Sequence, residues 1–126
     1  LPQQQNLISN GSFETPVLAP GTITDVQPST LAPWQTTDDS FEVWAVAASA
    51  ADGAQHLEIL AHSPSAIVFQ TIATEPGQDY TLSFYHSPRP LVESTLVVAI
   101  DTHIVATFAE NGLALTTFQW QRFYGL

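Results

Sequence analysis

The sequence predicts an all-β domain, an antiparallel sandwich or barrel, and three observations lead there. Apolar and polar residues alternate with period two in runs spread along the chain. No window of helical length carries an apolar stripe of period 3.6. Nine prolines and six glycines fall mostly between the alternating runs, where short loops need them. At 126 residues, 44% of them hydrophobic, the chain is long enough to bury a core and is read as one domain, 1–126.

Taken in order, the runs are these. Phe41 to Val46 alternates and is rich in strand formers, and Asp52-Gly53 turns the chain into Gln55 to Leu60. Ser63-Pro64 breaks the chain before Ala66 to Ile72. Glu75-Pro76-Gly77-Gln78 fits a tight turn, with proline fixing φ and glycine free to take φ > 0. Tyr80, Leu82 and Phe84 then share one face, with Thr81, Ser83 and Tyr85 on the other. Ser94 to Ile100 and Ile104 to Ala109 flank Asp101-Thr102 as a hairpin, Asn111-Gly112 is a further turn, and Phe118 to Phe123 is the last apolar run. The proline-punctuated stretch 15–37 is expected to be a long surface loop.

Charge excludes several functions. Twelve carboxylates face two arginines and no lysine, giving a net charge of −10, so phosphate backbones and anionic bilayers are poor partners. No apolar run approaches the roughly eighteen residues that span a membrane. The start, Leu1-Pro2-Gln3-Gln4-Gln5, has neither a charged nor an apolar targeting region. With no cysteine, disulfides, cysteine catalysis and thiolate metal sites are excluded.

Several stretches follow one another in a familiar order. Asn6-Leu7-Ile8-Ser9-Asn10-Gly11-Ser12-Phe13-Glu14 comes first, then Pro33-Trp34, Phe41-Glu42-Val43-Trp44 and Asp52-Gly53-Ala54-Gln55-His56-Leu57-Glu58. Phe69 to Phe84, with its Gln70, Pro76-Gly77, Tyr80 and Leu82-Ser83-Phe84, is followed by Ser87-Pro88-Arg89-Pro90 and Trp120-Gln121-Arg122-Phe123. The chain resembles the galactose-binding-like jelly rolls of carbohydrate-binding-module type, found in secreted and surface-anchored bacterial proteins. The resemblance implies an antiparallel β-sandwich and an extracellular module that binds a polysaccharide or other glycan without catalysis. In that family further strands follow the tryptophan-bearing one, whereas this chain stops at Gly125-Leu126. The closing C-terminal strands are therefore expected to be absent. An unpaired edge would then invite a partner chain or self-association, so a structural or adhesive subunit is the alternative.

Candidate site residues follow. The resemblance implies a structural calcium at Asn10, Gly11 and Glu14, since hard cations take oxygen ligands; Asp25 and Asp38-Asp39 are weaker carriers. Trp34, Trp44 and Tyr85 are the aromatic candidates for the apolar face of a pyranose, whereas Trp120 is assigned to the core. Glu42, Gln55, Glu58 and Arg89 are polar candidates for its hydroxyls, with Arg89 also suited to pair with Glu42 or Glu58. His56, Glu58 and His62 share strand parity but are spaced too far apart for a tetrahedral metal site. Nucleophile-elbow, zinc-protease and phosphate-loop motifs are all missing, so no enzyme is expected.

Overall fold

A computed structural model describes residues 5–59 and 65–125. The expectations at residues 60–64, among them His62 and the break at Ser63-Pro64, and at residues 1–4 and 126 lie outside those described. The fold is all-β: nine antiparallel strands and one short 3-10 helix are described, in open sheets with no barrel. The chain divides into two compact units, the first up to Pro76 and the second from Gly77.

In the first unit β1 (Ile23–Val26), β3 (Phe41–Trp44) and β4 (His56–Glu58) form a three-stranded sheet with β3 in the centre, and β2 (Gln35–Thr36) pairs with β5 (Val68–Phe69). The register sets Val26 opposite Phe41 and Val43 between Thr24 and Leu57. Alternation therefore sends Phe41 and Val43 inward, at 2% and 1% exposure, while Glu42 and Trp44 face the other way. Val26 and Leu31 complete the buried cluster, and Phe13, Leu18, Trp34, Leu57 and Val68 pack around it.

Residues 15–37 differ from the expected loop. Ile23–Val26 is a strand, and Pro28 starts a 3-10 turn that drives Leu31 to 0% exposure. Proline punctuates this stretch, but at the first turn of a helix its missing N–H costs nothing. Other expected strands shrink: Ala66 to Ile72 contributes only Val68–Phe69, and Tyr80 lies outside its strand.

In the second unit β6 (Leu82–His86) pairs with β9 (Gln121–Gly125), and β7 (Glu93–Ile100) with β8 (His103–Asn111). The hairpin turn falls at Asp101-Thr102 as expected, with Asp101 at φ 53°. The two pairs meet through aromatic rings. Phe84 stacks on its cross-strand partner Phe123 at 5.0 Å, and Phe108 of β8 meets both edge-on at 6.1 and 6.0 Å. Edge-on and offset contacts suit the ring quadrupoles. Gly112 sits so close to the Arg89 carbonyl that a Cβ there would strike it.

Candidate functional site

The first unit gathers three of the expected site residues on the face of β3–β4 away from the core. Asp25, Glu42 and Glu58 stand opposite one another across β1, β3 and β4, and Trp44 lies one step along between Ile23 and His56. The Trp44 indole N–H donates to Glu42 Oε1 at 2.7 Å, and its ring leans on His56 at 5.4 Å. His56 is buried under the loop that follows β3, with Nδ1 3.3 Å from Ser49 Oγ. Burial penalises the charged imidazole and pushes its pKa down to about 4, so it is neutral at physiological pH.

Two other expected ligand residues hold the fold. Gln55 is 4% exposed, and its amide clasps the segment after the first turn. It donates to the carbonyls of Phe13 (2.6 Å) and Pro16 (3.0 Å) and accepts from the Leu18 N–H (2.7 Å). Both ends of the amide are engaged inside the protein. Trp34 is half-buried against Phe13 at 5.2 Å and donates its indole N–H to the Asn10 carbonyl at 2.9 Å. One side of it borders a shallow depression with Pro28 and Gln35.

The expected calcium residues form a tight turn. Asn10 accepts from the Thr15 N–H at 3.1 Å through Oδ1 and donates to the Thr15 carbonyl through Nδ2. Glu14 Oε1 accepts from the Ala54 N–H, beside Gly53, whose φ of 65° and lack of a Cβ admit the carboxylate. Asp52 joins the same cluster through the Ser12 hydroxyl. Asn10 and Glu14 together offer three side-chain oxygens, two of them already accepting N–H groups, against the six to eight that calcium takes, so Asp52 and carbonyls would have to supply the rest. Among the described residues no group of three or more His, Asp or Glu is arranged to hold a metal.

The second unit carries the most exposed aromatic face. Tyr85 of β6 stands opposite Arg122 of β9, and Ser83 opposite Tyr124, so all four point to the side away from Phe84 and Phe123. Tyr85 is 51% and Tyr124 69% exposed. The Arg122 guanidinium carbon lies 5.9 Å from one ring centre and 5.4 Å from the other, within cation–π range of both. Arg89 also belongs to this unit, half-buried in the loop before β7, where its carbonyl accepts the Val92 N–H at 3.1 Å.

A family model described as a carbohydrate binding domain matches residues 5–99. The chain belongs to that family. The match takes in the first unit from residue 5, β6 and nearly all of β7, so Tyr85 lies within it and Arg122 and Tyr124 beyond it. No curated protein and no solved structure matches the chain significantly.

The carbohydrate-binding domain thus places Trp44, Glu42 and Glu58 on one face of its first unit and Tyr85 on an outward face of its second. Arg122 and Tyr124 of β9 were not among the residues expected at a site. The signal was present in their alternation with Phe123, which puts positions 122 and 124 opposite to it. Chemically, the Tyr85–Arg122–Tyr124 face offers two apolar ring surfaces and a fork of N–H donors held between them.

Proposed function

We propose that this domain is a non-catalytic extracellular module that holds a neutral glycan on the outward face of β6–β9. The observation that carries the reading is the exposure of Tyr85 and Tyr124 around Arg122. A pyranose has one face of C–H groups that lies flat on a phenol ring, while its hydroxyls reach sideways. Cation–π contact with both rings positions the guanidinium, so less entropy is lost when it donates to those hydroxyls. The Ser83 hydroxyl lies on the same face. A net charge of −10 disfavours acidic glycans and favours neutral ones.

A glycan array probed with the intact chain and with Tyr124→Ala tests this. Saturable binding to one class of neutral glycan, weakened about fivefold by loss of a ring contact near 1 kcal/mol, is the expected result. A blank array from a folded sample, or binding indifferent to the substitution, would remove this face from the account.

The structural calcium at Asn10, Gly11 and Glu14 belongs to the same proposal. Glu14 and Ser12 both bond to the loop that carries Asp52 and Gly53, which brings a second carboxylate to the turn and supports it. Chelator should then lower Tm by a few degrees, since a cation that binds only the folded state stabilises it; an unchanged melt removes the ion.

An assembly role through strand addition is the second reading. It is favoured by β7–β8, which among the described residues pair only with each other and expose Val97 and Ile104 at 51% and 62%. Concentration-dependent oligomers in sedimentation would support it, and a monomer at all concentrations would end it.

A further inference from the structure

On the opposite side of β6 from the tyrosines, the second unit buries an acid–base pair that the stacking face does not use. His86 ends β6 at 8% exposure, and Glu110 lies near the end of β8 at 5%. Nδ1 of His86 is hydrogen-bonded to Oε1 of Glu110, and the imidazole packs on Phe108 with ring centres 4.1 Å apart. Burying a carboxylate beside apolar rings is unfavourable unless it is partnered, and the imidazole is that partner.

The pairing engages only half of each group. Among the described residues, Nε2 of His86 and Oε2 of Glu110 have no hydrogen-bond partner, and neither atom is sealed from solvent. Both residues line a cavity of about 390 Å3. Gln119 and Gln121 also line it, with Gln121 directly across from His86 in the strand register.

We propose that this cavity is a second binding site, for a single sugar ring carrying neighbouring hydroxyls. The proposal rests on the carbohydrate reading of the family and adds a site separate from the stacking face. A carboxylate oxygen accepts hydroxyl protons, an imidazole nitrogen donates or accepts, and amides do both, which is what adjacent hydroxyls require. Phe108 supplies an apolar surface for the C–H face of the ring. The volume lies near the lower end of the roughly 300–1,000 Å3 range of ligand pockets, which suits a single ring. Glu110 and the chain's net negative charge turn away anionic sugars.

The test is an NMR titration of the full chain with the methyl glycosides of glucose, galactose, mannose, xylose and N-acetylglucosamine. At least one should shift the His86 imidazole and the Gln119 and Gln121 side-chain amides saturably, with an affinity distinct from that of any shift at the Tyr124 ring. Glu110→Gln should weaken that binding about tenfold or more, as expected for loss of hydrogen bonds to a charged group. Tyr124→Ala should leave it within about twofold. If Glu110→Gln loses the native spectrum, Gln121→Ala at the exposed rim takes its place, with a smaller loss expected. A glycan chain that shifts His86 no more strongly than the glycoside of its terminal sugar would show that the pocket takes chain ends.

Shifts confined to Tyr85 and Tyr124, or an unchanged affinity in Glu110→Gln and Gln121→Ala, would overturn the second site while leaving the stacking face standing. Failure of every glycoside and every polysaccharide to bind would end both.

Discussion

Replacing Gln55 separates a structural clamp from a ligand contact more sharply than any other substitution in the chain. The side chain makes three hydrogen bonds, to Phe13, Pro16 and Leu18, from a position 4% exposed. Gln55→Ala leaves two carbonyls and one N–H without their partner. At about 1 kcal/mol for each bond, the expected loss is about 3 kcal/mol. Urea unfolding followed by tryptophan fluorescence should show the midpoint falling with the slope unchanged, because the surface exposed on unfolding hardly differs. Gln55→Glu is the stricter variant. An ionised carboxylate only accepts, so it would face two carbonyl oxygens, and the penalty should be at least as large and should ease as the pH is lowered. Glycan affinity, measured where the variants remain folded, should not change. A stability loss below about 1 kcal/mol, or a lost affinity at full stability, would refute the clamp.

Three further perturbations bear on the same structure. Leu31→Ala removes a side chain at 0% exposure and should cost about 2–5 kcal/mol in the same unfolding experiment, against near neutrality for a surface site. Because burial lowers the His56 pKa from 6.5 to about 4, the unfolded chain binds more protons than the folded one between those values. Stability should therefore fall as the pH drops from about 6.5 towards about 4, by at most ~3 kcal/mol, and His56→Gln should flatten that part of the profile. Trp44→Phe removes the indole N–H from Glu42 Oε1 and should cost about 1 kcal/mol, read as a shift in urea midpoint.

How much was legible in the sequence depended on whether the signal was local. Phe41–Trp44, Leu82–His86 and the hairpin from Glu93 to Asn111 follow from alternation and turn residues a few positions apart. Ile23–Val26 and Gln35–Thr36 were hidden because they are short and lie among prolines that read as loop. The orientation of Tyr85 was legible because its parity opposes Leu82 and Phe84. Its partners Arg122 and Tyr124 were not, because only the pairing of β6 with β9 brings them alongside, and register between distant strands is set by tertiary packing. Gln55 shows the converse. A polar residue inside a family-like motif reads the same whether its amide faces a sugar or three backbone groups of its own chain. The pairing of His86 with Glu110 was equally invisible, since it joins the ends of two strands through side chains alone.

The central claim is that a glycan lies on the outward face of β6–β9, and the most direct measurement is chemical-shift mapping with the array-selected glycan on the unmodified chain. The account predicts saturable shifts at Ser83, Tyr85, Arg122 and Tyr124, with ring-current changes on the sugar C–H protons that face the phenols. Saturable shifts elsewhere, with these four residues silent, would contradict it.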